Sequence, residues 1–188
     1  MAVLLVVVLI PVSPASGVST VGVDARDARR DVEVFTRTPG PPVRDRRSID
    51  LRRIVAAPTP QAETVRFRVR IARLLPEAPF DQVADVLLLP PKGADVAWYG
   101  TEIWMSVRHP RTSFAAFYSD AGPVRCPRLH TASDPATGWF WLDVPRRCLP
   151  PGEATVEVET LATVRRNDSP PYSRDTLAVP GTVVWEAA

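Results

Sequence analysis

One lysine, two cysteines, two histidines and two methionines are all that this 188-residue chain offers of four chemically versatile side chains. Each scarcity excludes something. Lys92 is the sole lysine among 23 basic residues, so the positive charge is almost wholly guanidinium, a bias that genome composition explains most simply. The formal net charge of +2 gives no general attraction to nucleic acid or membrane. Two cysteines are too few for a zinc site, which takes four protein ligands or three and a water. The one combination at hand, Cys126 and Cys148 with His130, is incomplete. A nucleophilic Cys148 needs a free thiol and a nearby base. Also missing are the GxSxG elbow, HExxH, the P-loop and GxGxxG. His109 or His130 with Asp120 or Asp134 and Ser113, Ser119 or Ser133 are the nearest triad components, and their spacing favours no triad. Asp95, Glu102, Asp120, Asp134 and Asp143 are candidate acids for glycoside cleavage, as in any β-rich protein of this size. No metal ligand set and no cofactor motif stands out; "YSDAG" and "ASDPATG" lack the spaced acids of a calcium loop.

What is present begins with an apolar start, MAVLLVVVLIPVSPASGVST. Val3 to Val12 is apolar apart from Pro11, and Ser13, Ala15, Ser16 and Gly17 follow. The run is about half the ~20 residues a membrane span needs. It reads as a secretory signal over residues 1–17, cleaved after Ala15 or Gly17, although no basic residue precedes it. Export places the protein outside the cell, where two cysteines pair, so Cys126–Cys148 is expected as a disulfide.

Residues 18–47 are polar, charged and Pro-rich and read as a flexible lead, with Val32, Val34 and Thr36 as the one possible edge strand. From residue 48 to 188 the period is two. "IDLRRIVA", "TVRFRVRIARLL", "QVADVLLLP", "DVAWYGTEIWMSVRH", "TSFAAFYSD", "GPVRCPRL", "WFWLDVP", "EATVEVETLATVRR" and "GTVVWEA" are candidate strands, and "HTASDPATG" is a loop. Their spacing predicts an all-β protein: an antiparallel β-sandwich or jelly roll of about eight or nine strands with one disulfide.

Two features bear on function. Arg66, Arg68 and Arg70 alternate with Val65, Phe67, Val69 and Ile71, so they share one face of a strand. They read as a polyanion-binding stripe or as a solvated face paired with Glu157 and Glu159. Aromatic residues are the second feature. Trp139 and Trp141 are expected in the core with Phe140 on the opposite face. Trp98 and Tyr99, beside the polar "PPKGAD" turn, are the first choice for a glycan-stacking pair.

The segments "IDLRRIVA", "ETVRFRVRIARL" and "WLDVPRRCLPPGEATVEVETL" resemble those of small exported actinobacterial-type β-sandwich proteins over residues 48–165. These in turn are distantly similar to DOMON domains and family 9 carbohydrate-binding modules. The resemblance implies a sandwich. No Met/His pair is assignable as the haem ligands of DOMON, Met105 with His109 or His130 being the only option, and the acidic calcium pattern of the carbohydrate modules is not recognisable. Because no catalytic constellation stands out in the sequence, the expectation is a secreted, non-catalytic binding module for an extracellular glycan or cell-envelope polymer. The alternatives are an extracellular hydrolase using carboxylates and a protein-interaction accessory domain. Neither nucleic acid nor membrane insertion is expected.

Overall fold

Alternation between apolar and charged side chains builds this molecule. In Thr64–Ile71, Val65, Phe67, Val69 and Ile71 are buried, Arg66 and Arg68 are half-buried and Arg70 is exposed. A strand patterned this way must lay one face on a core and leave the other to solvent. The computed structural model describes residues 22–28, 30–35, 40–59, 63–90, 100–119, 122–149, 152–164 and 170–185. The expected signal segment 1–17, and Trp98 and Tyr99, lie outside the described residues.

Twelve strands run through the described residues. They are β1 (Val23–Arg26), β2 (Glu33–Val34), β3 (Leu51–Pro58), β4 (Thr64–Ile71), β5 (Asp81–Leu89), β6 (Gly100–Ser106), β7 (Phe114–Ser119), β8 (Gly122–Arg125), β9 (His130–Asp134), β10 (Trp139–Pro145), β11 (Gly152–Thr163) and β12 (Ser173–Trp185). One helical turn, α1 (Val43–Arg46), precedes β3. Two antiparallel sheets form, of five strands in the order β1-β3-β4-β10-β9 and of seven in the order β2-β12-β11-β5-β6-β7-β8. Between them Ile54, Phe67, Val69 and Leu142 of the first sheet share one core with Val86, Leu88, Ile103, Met105, Val156 and Val158 of the second. The predicted all-β antiparallel sandwich is the observed architecture.

The strand count is higher than the eight or nine expected because of β1, β2 and β9, and β12 is longer than expected. Residues 18–47 are not simply a lead: Val23 is 5% exposed and seats β1 beside β3, while β2 pairs with the start of β12. Residues 130–138 are not all loop, because β9 pairs with β10 from His130 to Asp134. As an edge strand β9 carries no apolar alternation to announce it. The last strand begins at Ser173 rather than residue 181. The register of β11 and β12 jumps between Thr155 and Val156, opposite Pro180 and Gly181. A bulge there accommodates a proline that has no N–H for the ladder.

Cys126 and Cys148 form the disulfide, with Cα atoms 5.8 Å apart. Cys126 follows β8 at the edge of the seven-stranded sheet, and Cys148 follows β10 of the five-stranded sheet. The bond therefore ties one sheet to the other across the sandwich.

Candidate functional site

The outward face of the five-stranded sheet collects the arginines and the tryptophans. Cross-strand register decides the arrangement. On β4 and β10, Arg70 lies opposite Trp139, Arg68 opposite Trp141 and Arg66 opposite Asp143. Phe140, Leu142 and Val144 occupy the alternate positions and are buried. Trp139 and Trp141 are consequently outward and half-buried, not core as expected. Asp143 on the same face as the two indoles is the sequence signal that marks this side as the wet one.

Polar and stacking contacts lock the face into an alternating rank. Arg66 donates from Nε and Nη2 to the two Asp143 carboxylate oxygens at 2.6 and 2.8 Å. Its guanidinium carbon lies 5.6 Å from the Trp141 ring centre, and that of Arg68 lies 4.5 Å from the Trp139 ring centre. Such contacts favour a cation over an indole face. Hydrogen bonding to Asp143 raises the Arg66 pKa above its ordinary value, against the opposing effect of burial. Arg70 Nε donates to the Thr137 carbonyl at 3.2 Å. Next to Asp143, at 3.7 Å, is His130 Nδ1 on β9. The pairing of these arginines with Glu157 and Glu159, weighed from sequence, does not occur: β4 and β11 belong to different sheets.

The hairpin that starts β10 is held by its own residues. Asp134 accepts from Ala136 N–H at 3.0 Å and from Thr137 Oγ1 at 2.7 Å. The Thr137 hydroxyl is the main reason its carboxyl titrates below the usual range. Gly138 has φ +76°, and a Cβ there would sit 2.6 Å from the Ile71 carbonyl oxygen. Only glycine lets the turn approach β4 this closely. Trp139, the next residue, is placed by that approach.

A second, acidic surface lies on the outward face of the seven-stranded sheet. It is a groove of about 690 Å³ lined by Asp85, Glu102, Glu157, Glu159, Leu87 and Thr176, among others. Glu159 lies opposite Asp85 across β11 and β5. Burial raises the Glu159 pKa, and the charge of Arg174, whose Nε is 2.7 Å away, works against that. Of the glycosidase acids weighed from sequence, Glu102 alone is in this groove. Asp134 caps the β9–β10 turn and Asp143 holds Arg66, and Asp95 and Asp120 lie outside the described residues.

A third cluster is small. Carboxylate oxygens of Asp27, Asp31 and Asp175 lie within 4.8 Å of one another. Asp175 accepts from the Leu51 N–H at 2.7 Å and the Thr176 N–H at 2.9 Å, so its oxygens already serve the protein's own backbone. No metal is assigned to it. The haem alternative finds no support in position either: Met105 is buried in the core, whereas His109 and His130 are exposed. Comparison with models of known families and with curated proteins finds no match to this chain.

Proposed function

We propose that this protein is a secreted, non-catalytic binding module that engages an extracellular glycan or cell-envelope polymer of negative charge on the outward face of its five-stranded sheet. The rank Arg66–Trp141–Arg68–Trp139 is the observation that carries this reading. Guanidiniums held over indoles form a cationic, partly apolar surface. Sugar rings present C–H faces to such a surface, and acidic substituents meet the arginines. The rank lies along strands, so successive contacts recur about every 6.6 Å, which suits a repeating chain.

The test is retention on immobilised polymers, acidic and neutral, in a salt series. Retention on an acidic polymer should fall steeply with salt, as screening of exposed charge requires. Trp141→Ala should bind about tenfold more weakly, the equivalent of about 1.4 kcal/mol. Its stability should drop by less than the roughly 3–5 kcal/mol of a fully buried aromatic truncation. Wild-type protein that passes every acidic polymer unretained would sink this reading.

The acidic groove favours a second reading, an extracellular hydrolase working through carboxylates. Two acids lie opposite each other on neighbouring strands, Glu159 with its raised pKa and Asp85, and they are the carboxylates such a mechanism would use. Release of reducing ends from a glycan panel, lost in Glu159→Gln, would replace the binding reading with this one. A protein-interaction accessory remains the third class; it predicts capture of a protein partner with the arginine-tryptophan face left free.

A further inference from the structure

At one end of the arginine-tryptophan face, three arginines stand side by side on three adjacent strands. Arg26 of β1 lies opposite Arg53 of β3, and Arg53 lies opposite Arg70 of β4. Like charges directly opposite one another destabilise a sheet. A fourth arginine joins them through an irregularity in β3. There the register shifts between Leu51, opposite Ile71, and Arg53, opposite Arg70. Arg52 is the extra residue of this bulge. In a regular strand Arg52 and Arg53 would point to opposite faces; here both line one cleft. That cleft, about 590 Å³, is lined by Arg26, Arg52, Arg53 and Arg70 with Asp27, Ile71 and Ala72. Bulges re-aim side chains in this manner beside binding sites.

The donors in the cleft are only partly used. Arg52 Nη2 bonds Asp50 at 2.6 Å, and its Nη1 is buried without a hydrogen-bond partner. Arg53 uses Nε and Nη2 on the Asp24 carboxylate, and Arg70 uses Nε on the Thr137 carbonyl. Arg26 is exposed and has no ion pair within 4.0 Å among the described residues; Asp24 feels its charge. Asp24 and Asp50 thus fix two guanidiniums in place, and Asp27 stands in the lining as the one carboxylate of the cleft itself. A guanidinium carries five N–H donors, so each arginine keeps some for a ligand.

We propose that this cleft is a binding site for a tetrahedral oxyanion, a phosphoryl or sulfuryl group carried on a larger molecule. Four guanidiniums suit a group with several anionic oxygens better than a single carboxylate, which one arginine satisfies with two parallel bonds. The site rests on the polymer reading only for the larger molecule that presents the group. Arg70 belongs to both surfaces, so a polymer lying along the face would reach the cleft with one of its substituents.

The experiment uses the full chain and inorganic phosphate, followed by phosphorus NMR at constant ionic strength set with sodium chloride. Phosphate should shift and broaden on adding protein, and sulfate should displace it. Arg26→Gln and Arg70→Gln should each weaken phosphate binding about tenfold. Arg125→Gln, an exposed arginine on the other sheet, should leave it unchanged. Trp141→Ala should keep phosphate affinity while losing polymer retention, which separates a failure of the cleft from a failure of the polymer reading. Absence of any phosphate effect with wild-type protein overturns the proposal. So does equal binding by wild type and the Arg26→Gln/Arg70→Gln double variant, or binding of glucuronate where phosphate fails. The commonest chemical source is then resolved by comparing a phosphodiester polymer with a sulfated glycan, and retention of neither overturns the extension to a larger molecule.

Discussion

Removing the Cys126–Cys148 bond should lower the unfolding free energy by about 3 kcal/mol, the chain-entropy value for a loop of this length. The 22-residue span it closes runs from the edge of one sheet, through β9 and β10, to the turn after β10 in the other. The bond therefore limits an unfolded chain and also clamps the two sheets where β8 pairs only with β7. In a chain of this size the loss corresponds to roughly 6–12 °C in melting temperature. Thermal or urea unfolding of the Cys126→Ser/Cys148→Ser variant against wild type measures it. Hydrogen exchange should speed first at β8 and at residues 146–149. A variant as stable as the parent would show that packing of the shared core alone holds the sheets together.

The second large effect concerns acid. Burial pushes the Asp175 carboxyl up to about 6, reinforced by the charges of Asp31 and Asp27 and opposed by the Leu51 and Thr176 N–H groups. Asp175 is 4% exposed, so its charge is little relieved by water. In the unfolded chain it ionises near the usual ~3.9. Between those two values the folded state holds a proton that the unfolded state has released. Stability from this group is therefore fullest below about pH 4 and is lost as pH rises through about 6, by about 3 kcal/mol in all. Asp27 shifts in the same direction, mainly through burial. Asp24 and Asp134 have lowered pKa values and act in the opposite sense at more acid pH. Urea unfolding of wild type and Asp175→Asn at intervals from pH 4 to pH 7 isolates the Asp175 contribution as the difference between the curves. Asn keeps one acceptor and loses the other, so the variant should start lower at pH 4 and the gap should narrow toward pH 7. Parallel curves would mean that Asp175 titrates normally.

Much of this architecture could be read from the chain because period-two alternation survives wherever a strand has one wet face. β4 and β11 are the plainest examples, with Arg66, Arg68 and Arg70 or Glu153, Thr155 and Glu157 turned out. Where alternation is absent, the chain says less, for a physical cause. β6 is buried along its whole length, from Gly100 to Ser106, so its sequence cannot say which way each residue points. β9 has polar residues on both faces. Pro180-Gly181 reads as a turn yet forms a bulge inside β12, because a local signal cannot distinguish a chain reversal from one extra residue in a ladder.

The candidate site was legible by halves. The arginine stripe was visible, since its spacing alone sets its face. Its neighbours were not, because cross-strand register brings Trp139 and Trp141 from about 70 residues away, and no local pattern encodes that pairing. The ordinary preference of large rings for burial places Trp139 and Trp141 in the core. Asp143 argued the other way, since a carboxylate two residues from Trp141 shares its face. The cleft of Arg26, Arg52, Arg53 and Arg70 could not have been read at all. It depends on β1 joining the sheet and on a one-residue irregularity in β3.

The edges of the two sheets limit how this molecule can meet others. Each sheet ends in short strands, of four and five residues in β1 and β9 and of two and four in β2 and β8. An incoming extended chain finds few free rungs at β1, β9 and β8, and Pro123 in β8 has no N–H to offer one. Adding a strand, the usual route by which sheet proteins bind peptides or polymerise, is thereby discouraged at β1, β9 and β8, whereas β2 pairs only with Ser173 and Arg174 and leaves the rest of the 13-residue β12 as the one long edge among the described residues. Away from β12, recognition is left to the broad surfaces, where side chains rather than backbone do the reading.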